Sequence, residues 1–146
     1  ILHSSYPHEL LHNWWGNSVF VNYETGNWCE GITVYLADHL IKEQRKQGAE
    51  YRRTTLQGYT NYVNDENEFP AAAFTSRYDA SSSAIGYGKV MMMFHMLRQQ
   101  FGDDVFLQSL QDLKGIEGTQ AGTMVAKPFY PYLGNIGSWA QGLVVY

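Results

Sequence analysis

Two histidines four residues apart, with a glutamate directly after the first, form the phrase HELLH at residues 8–12. On an α-helix, positions i and i+4 lie on one face about one turn apart, so the imidazoles of His8 and His12 can reach a single point. Glu9 lies one step round the helix, from which its carboxylate can reach a water molecule bound to an ion held there. The phrase therefore indicates a zinc site, whereas a helical histidine met without such a pattern is usually a surface or core residue.

A catalytic zinc ion needs a third protein ligand and one open position for water. Glu30 is the candidate, because it begins a stripe on the second predicted helix that otherwise consists of Val34, Ala37 and Ile41. A buried, unpaired carboxylate would cost on the order of several kcal/mol or take up a proton, and a neighbouring cation removes that cost. The alternative interpretation is an exposed glutamate at the start of a helix, stabilised by the helix dipole.

The phrases HELLHNWWGN (residues 8–17) and NWCEGITVYLADHL (residues 27–40) resemble the gluzincin metallopeptidases of the aminopeptidase N and leukotriene hydrolase family, in a divergent bacterial-type branch. In that family HExxH is followed by an aromatic-Gly-Asn phrase and then by a second helix that opens with Asn-Glu-Gly. The resemblance implies that His8, His12 and Glu30 bind one zinc ion per chain and that Glu9 is the catalytic glutamate.

A second block, AIGYGKVMMMFHMLRQQFGDDVFLQSL at residues 84–110, resembles the family segment that carries a Tyr-x-Lys-Gly pattern, an apolar helix and a Gly-Asp step. The resemblance implies that Tyr87 stabilises the oxyanion of the tetrahedral intermediate. A phenol suits this role because it donates a hydrogen bond that strengthens as the oxygen becomes negative, without adding a permanent charge. Without the zinc residues, Tyr87 would be interpreted as a buried tyrosine with a satisfied hydroxyl.

The chain departs from the family pattern at several positions. Residues 13–29, seventeen in number, separate the second histidine from Glu30, where the family usually has eighteen. Cys29 stands where the family commonly has Asn, and Val90 stands where the tyrosine motif ends in Gly. A GxMEN-type segment, whose glutamate grips the free amino end of the substrate, does not occur in these residues, so exopeptidase specificity does not follow from the resemblance.

The expected function is zinc-dependent hydrolysis of peptide bonds, aminopeptidase-like, by a metal-bound water molecule that Glu9 activates. The enzyme class is therefore a zinc metallopeptidase. The alternative is a non-catalytic or inactive metallopeptidase-like domain that acts in binding or structure.

Arg77, in a predicted loop, could hold a peptide carboxylate, although an exposed arginine is the better default. His39 and His95 have no spacing that closes a metal site and are interpreted as structural or solvated residues.

The elements that must position these residues are predicted to be mainly α-helical. Caps, apolar periodicity and helix-ending glycines predict helices over about residues 6–15, 27–47, 50–64 and 84–101, and a short helix from Asp103 to about Leu113. SVFVNY (residues 18–23) alternates as a strand between the two zinc-ligand helices, and residues 67–83 are predicted to be loop. The resemblance implies a thermolysin-like (gluzincin) catalytic helical subdomain. Residues after Lys114 are predicted to be irregular.

Composition bounds the class of protein. With 146 residues, 45% of them apolar and 16% charged, residues 1–146 are expected to form a single domain. A net charge of −4 argues against nucleic acid as a partner. The sequence contains no apolar run of the ~18 residues that a transmembrane helix needs. Because the chain opens without Met inside an apolar phrase, we expect the C-terminal part of a longer metallopeptidase catalytic domain, which need not be active alone. Its expected partners are a peptide substrate and the remaining domains of the same protein, and the sequence does not indicate a compartment.

Overall fold

A computed structural model of the chain describes residues 5–114. Within this range four helices form the fold, with bounds as follows: α1 (Ser5–His12), α2 (Cys29–Thr33, continuing through Val34–His39 and Leu40–Gln44), α3 (Gly48–Tyr62) and α4 (Ala80–Ser83, continuing through Ala84–Lys89 into Val90–Lys114). Short 3-10 turns occupy Tyr23–Thr25 and Ala71–Ala73. The prediction of a mainly helical architecture is confirmed. The prediction for the segment after Lys114 lies outside the described residues.

The strand predicted over residues 18–23 is shorter than expected. Only Val19–Phe20 is extended, and it pairs in parallel with Trp15–Gly16, so that Trp15 lies opposite Val19. Val19 N–H also donates to the Trp14 carbonyl at 2.9 Å, which makes the element a tight loop between α1 and α2. The strand ends early because the Asn22 side chain accepts a hydrogen bond from the backbone of Glu24 and caps the following 3-10 turn.

The boundary between α2 and α3 differs from the prediction, which ended the second helix at Gly48. Lys46 adopts the left-handed conformation, with φ of 60°, that ends α2, and Gly48 is the first residue of α3. A Cβ atom at Gly48 would lie 2.2 Å from the Glu43 carboxyl group. That carboxyl group is the end of a flexible, exposed side chain that can move aside, so the contact does not require glycine. Gly48 begins α3 and does not terminate α2.

Helix α4 begins four residues earlier than predicted, so the prediction of loop is wrong for residues 80–83. Asp79 forms a capping box with Ser82: the Asp79 carboxylate accepts from Ser82 N–H at 2.7 Å, and the Ser82 hydroxyl accepts from Asp79 N–H at 2.9 Å. Within Val90–Lys114, Gly102 has φ of 81° and ψ of 171°, so it divides this stretch into one helix that ends at Phe101 and a second that follows from Asp103. The predicted end at residue 101 is thus confirmed.

The core lies where α2 crosses α4. The fully buried large side chains come mainly from these helices: Ile32, Tyr35, Ile85, Met91, Phe94 and Phe106, joined by Phe74. Gly86 leaves room for the Phe74 ring, which would lie 2.3 Å from a Cβ atom at that position. Gly31 allows α2 to approach α4, since a Cβ atom there would lie 2.2 Å from Val90. This approach brings the start of α2 next to the turn of α4 that contains Tyr87.

Both central helices contain a π-helical turn, Val34–His39 in α2 and Ala84–Lys89 in α4. A π turn admits one more residue than an α turn and therefore changes the direction of the side chains that follow; such turns are frequent at functional sites. Asp38 and Tyr87 lie in these two turns. No helix between residues 5 and 114 combines the length and apolar character needed to span a bilayer.

Candidate metal centre

Three side-chain donor atoms from α1 and α2 converge on one point. His8 Nε2 lies 3.1 Å from His12 Nε2, and Glu30 Oε2 lies 3.4 Å from each of these nitrogens. The two histidines come from adjacent turns of α1, and Glu30 comes from the first turn of α2. The structure therefore brings together the three residues that the sequence predicted as zinc ligands, and their donor atoms form a group able to hold a metal ion.

The spacing of these donor atoms fits a tetrahedral zinc site. Zinc holds nitrogen and oxygen ligands at about 2.0–2.2 Å, which places neighbouring ligand atoms of a tetrahedron roughly 3.3–3.6 Å apart. The observed separations of 3.1–3.4 Å are close to this range. Three protein ligands would leave a fourth tetrahedral position for water, which is the arrangement of catalytic zinc sites.

The other ring nitrogen of each histidine is held by an acceptor. His8 Nδ1 donates to the Asp38 carboxylate at 2.8 Å, and His12 Nδ1 donates to the Trp15 carbonyl oxygen at 3.0 Å. With the protons on Nδ1, both Nε2 atoms direct lone pairs at each other and at Glu30. A carboxylate or carbonyl acceptor behind the ring is the arrangement that orients metal-binding histidines.

The charges around this point favour a cation. Hydrogen bonds to Asp38 and Glu30 raise the pKa of His8 to about 9, so a proton occupies this position at neutral pH unless a metal ion replaces it. Burial opposes the charge of Glu30, but His8, His12 and Tyr87 outweigh burial and hold the pKa of Glu30 below its usual value. Glu30 is thus an anion that is ready to act as a ligand.

Glu9, the predicted base, lies on α1 next to His8 and outside the group of metal-donor atoms. Its side chain is exposed and forms no hydrogen bond or ion pair with another residue of the 5–114 range. The Glu9 carboxylate is therefore accessible to water and is not held by a contact with another residue of this range. Its role as a base stays a prediction.

Tyr87 lies beside the donor atoms. Its ring stacks against the His8 ring at 6.4 Å between centroids, and the Phe74 ring packs edge-on against it at 5.9 Å. The Tyr87 hydroxyl interacts with the Glu30 carboxylate, and burial together with that charge raises the pKa of Tyr87 to about 12. The phenol therefore keeps its proton at neutral pH and can act as a hydrogen-bond donor.

Sequence reasoning missed Asp38 as the partner of His8. On a regular α-helix, eight residues separate Glu30 and Asp38 by about 80° around the axis. The π turn takes up one residue, which reduces this angle to about 20° and lets both carboxylates face His8. The available signal was an acidic residue two turns beyond the third ligand, but its direction depends on the π turn.

Two further residues that the sequence singled out lie close to the centre. The Cys29 thiol is buried and lies 3.8 Å from His12 Nδ1, the nitrogen that faces away from the donor atoms, and burial raises its pKa to about 12. Cys29 is therefore a packing neighbour of His12. Arg77 is exposed, as expected, and its guanidinium group lies 5.6 Å from the centroid of the Tyr87 ring.

Comparison of the chain with protein-family models, with curated proteins and with solved structures found no match. The resemblance to the gluzincin family therefore rests on the quoted motifs, and the function must be argued from the geometry of the site.

Proposed function

We propose that this chain is the catalytic core of a zinc metallopeptidase with a thermolysin-like arrangement of helices, and that it hydrolyses peptide bonds. His8, His12 and Glu30 would hold the zinc ion. The observation that carries the proposal is the approach of His8 Nε2 and His12 Nε2 to 3.1 Å, with a carboxylate oxygen of Glu30 3.4 Å from each. Because both Nδ1 atoms donate to acceptors, the two Nε2 atoms repel each other unless a cation, either a proton or a metal ion, lies between them.

Each residue around this point has a separate role in the proposed reaction. Zinc, when bound, supplies a Lewis acid next to the reacting carbonyl group. Glu9 accepts a proton from the attacking water and later returns it to the leaving amine as the carbon–nitrogen bond breaks. Tyr87 donates a hydrogen bond to the carbonyl oxygen as that oxygen becomes negative. Asp38 and the Trp15 carbonyl hold the two imidazole rings in place.

Metal analysis and hydrolysis assays of the full-length protein test this proposal. The wild-type protein is expected to bind one zinc ion per chain, and His8→Ala and Glu30→Gln are expected to lose it. Glu9→Gln is expected to keep the zinc ion and to abolish peptide hydrolysis, because the amide cannot accept the proton. Glu66→Gln, at an exposed glutamate in the turn after α3, is a matched control that should change neither property.

The outcomes separate the possible errors. Absence of zinc from wild-type protein prepared with excess zinc would refute the metal site. Normal hydrolysis by Glu9→Gln would show that the base has been assigned wrongly. Zinc bound by His8, His12 and Glu30 in a full-length protein that hydrolyses no peptide would favour the non-catalytic alternative.

A further inference from the structure

Arg77 lies at the edge of the candidate metal centre, next to Tyr87. Its side chain is exposed, and it forms no hydrogen bond or ion pair with another residue that the structure describes. The nearest acid in sequence, Asp79, accepts instead from the Ser81 hydroxyl at 3.0 Å and from Ser82 N–H at 2.7 Å. The charge of Arg77 is therefore not neutralised by a carboxylate of this part of the chain.

Arg77 and Tyr87 make a cation–π contact. The guanidinium carbon lies 5.6 Å from the centroid of the Tyr87 ring, within the ~6 Å over which a cation is attracted to an aromatic face. Burial and the charge of Glu30 raise the pKa of Tyr87 to about 12, and the charge of Arg77 acts in the opposite direction. A positive charge at this position stabilises electron density on the phenol oxygen, so it makes the hydroxyl a stronger hydrogen-bond donor.

The loop that carries Arg77 is anchored on both sides. On one side, Asn27, which is buried just before α2, donates its backbone N–H to the Phe74 carbonyl at 2.6 Å. On the other side, Tyr78 N–H donates to the Ser82 hydroxyl oxygen at 3.1 Å. The loop is thus tied to the starts of α2 and α4, the two helices that supply the third candidate ligand and the phenol. The backbone of Arg77 therefore has a fixed position relative to both of these groups.

We propose that Arg77 is a positioning residue, which holds the Tyr87 ring in place and makes its hydroxyl a stronger donor to the developing oxyanion. The inference rests on the proposed function and adds to it a residue that lies outside the group of metal-donor atoms. A cation–π contact at an exposed position corresponds to about a two- to fivefold change in a rate constant. The effect should fall on kcat, because the negative charge develops only as the reaction proceeds and not in the bound substrate.

Substitution of Arg77 in the full-length, zinc-bound protein tests the inference. Arg77→Gln removes the charge and is expected to lower kcat about two- to fivefold, while KM stays as in the wild type. Arg77→Lys keeps the charge and should lower kcat by less than about twofold. Arg53→Gln, at an exposed arginine of α3 that pairs with Glu50, is the matched control and should change neither constant.

A second background shows whether Arg77 acts through Tyr87. Tyr87→Phe removes the hydroxyl and keeps the ring, so adding Arg77→Gln to this variant should cause no further decrease in kcat. Each protein is assayed with two peptides of the same sequence, one with a free and one with an amidated carboxyl terminus. If Arg77 instead bound the carboxylate of the substrate, Arg77→Gln would raise KM for the peptide with the free terminus alone.

A lower kcat in Arg77→Gln for both peptides, its retention in Arg77→Lys and the absence of a further decrease in the Tyr87→Phe background support the inference. An unchanged kcat in Arg77→Gln, an equal decrease in Arg77→Lys, the same further decrease in the Tyr87→Phe background, or a change confined to KM would overturn it. Failure of the proposed function itself would look different, because the wild-type protein would then hydrolyse neither peptide.

Discussion

Acidification from pH 7 to pH 5 is expected to destabilise the fold through His39. This ring is 1% exposed at the end of the π turn of α2, and it stacks on Tyr35 at 5.0 Å between centroids. Its Nε2 atom accepts a hydrogen bond from Arg52 at 2.7 Å, while Nδ1 has no hydrogen-bond partner within residues 5–114. Burial, and then the charge of Arg52, lower the pKa of His39 to about 4.

The size of the effect follows from the difference between the folded and unfolded pKa values. A histidine in an unfolded chain titrates near pH 6.5, whereas His39 in the folded protein titrates near pH 4. Because the folded value is the lower one, the stabilisation is present above about pH 6.5 and is lost as the pH falls towards 4. Between pH 7 and pH 5 the loss amounts to about 2 kcal/mol. In a domain of this size that loss lowers the Tm by roughly 5–10 °C.

The assay is urea denaturation of the wild type and of His39→Gln at pH 7, 6 and 5, with a chelator present in all samples. Glutamine can still accept the hydrogen bond from Arg52 but does not titrate. The variant should therefore lose about 2 kcal/mol less than the wild type between pH 7 and pH 5. Other titrating groups, including His8, are common to both proteins and largely cancel in the difference. Equal losses in the two proteins would refute the reasoning, because His39 would then not be the group that takes up the proton.

Two further predictions concern the oxyanion donor and the helix crossing. Tyr87→Phe is expected to keep the zinc ion while kcat for peptide hydrolysis falls about 10²–10³-fold, since one hydrogen bond to the developing oxyanion is lost; metal analysis with steady-state kinetics measures both, and an unchanged kcat contradicts the assignment. Gly31→Ala is expected to lower the free energy of unfolding by about 1–3 kcal/mol, because the new Cβ atom would lie 2.2 Å from Val90. Gly58→Ala should instead raise it by about 0.5–1 kcal/mol, as an unobstructed replacement of a helical glycine. Urea denaturation measures the change in the free energy of unfolding for both alanine variants. A change of the same sign and size in both would argue against close packing at Gly31.

Several helix ends could be predicted because their signals are local. Gly102 ends the helix before it, as expected, through a positive φ that glycine adopts without strain. The capping pair Asp79 and Ser82 was also readable as a helix start, yet the serine-rich composition around it suggested a loop. Lys46 gave no such signal, because a lysine with a positive φ is uncommon. It ends α2 through two backbone hydrogen bonds, from Lys46 N–H to the Glu43 carbonyl at 2.9 Å and from Gln47 N–H to the Lys42 carbonyl at 2.8 Å.

The sequence by itself determined that His8 and His12 can act as a pair, because a spacing of four residues on one helix places two side chains on the same face whatever the rest of the chain does. It also indicated Glu30, through the apolar stripe that this residue begins and through the quoted motif. The sequence did not predict the distances between α1 and α2 that bring these residues together.

Only the tertiary structure decided what surrounds the candidate ligands. Asp38 faces His8 because a π turn takes up one residue of α2. Tyr87 lies beside Glu30 because Gly31 lets α2 approach α4 closely. These features depend on contacts between residues far apart in the chain, and no local periodicity carries that information.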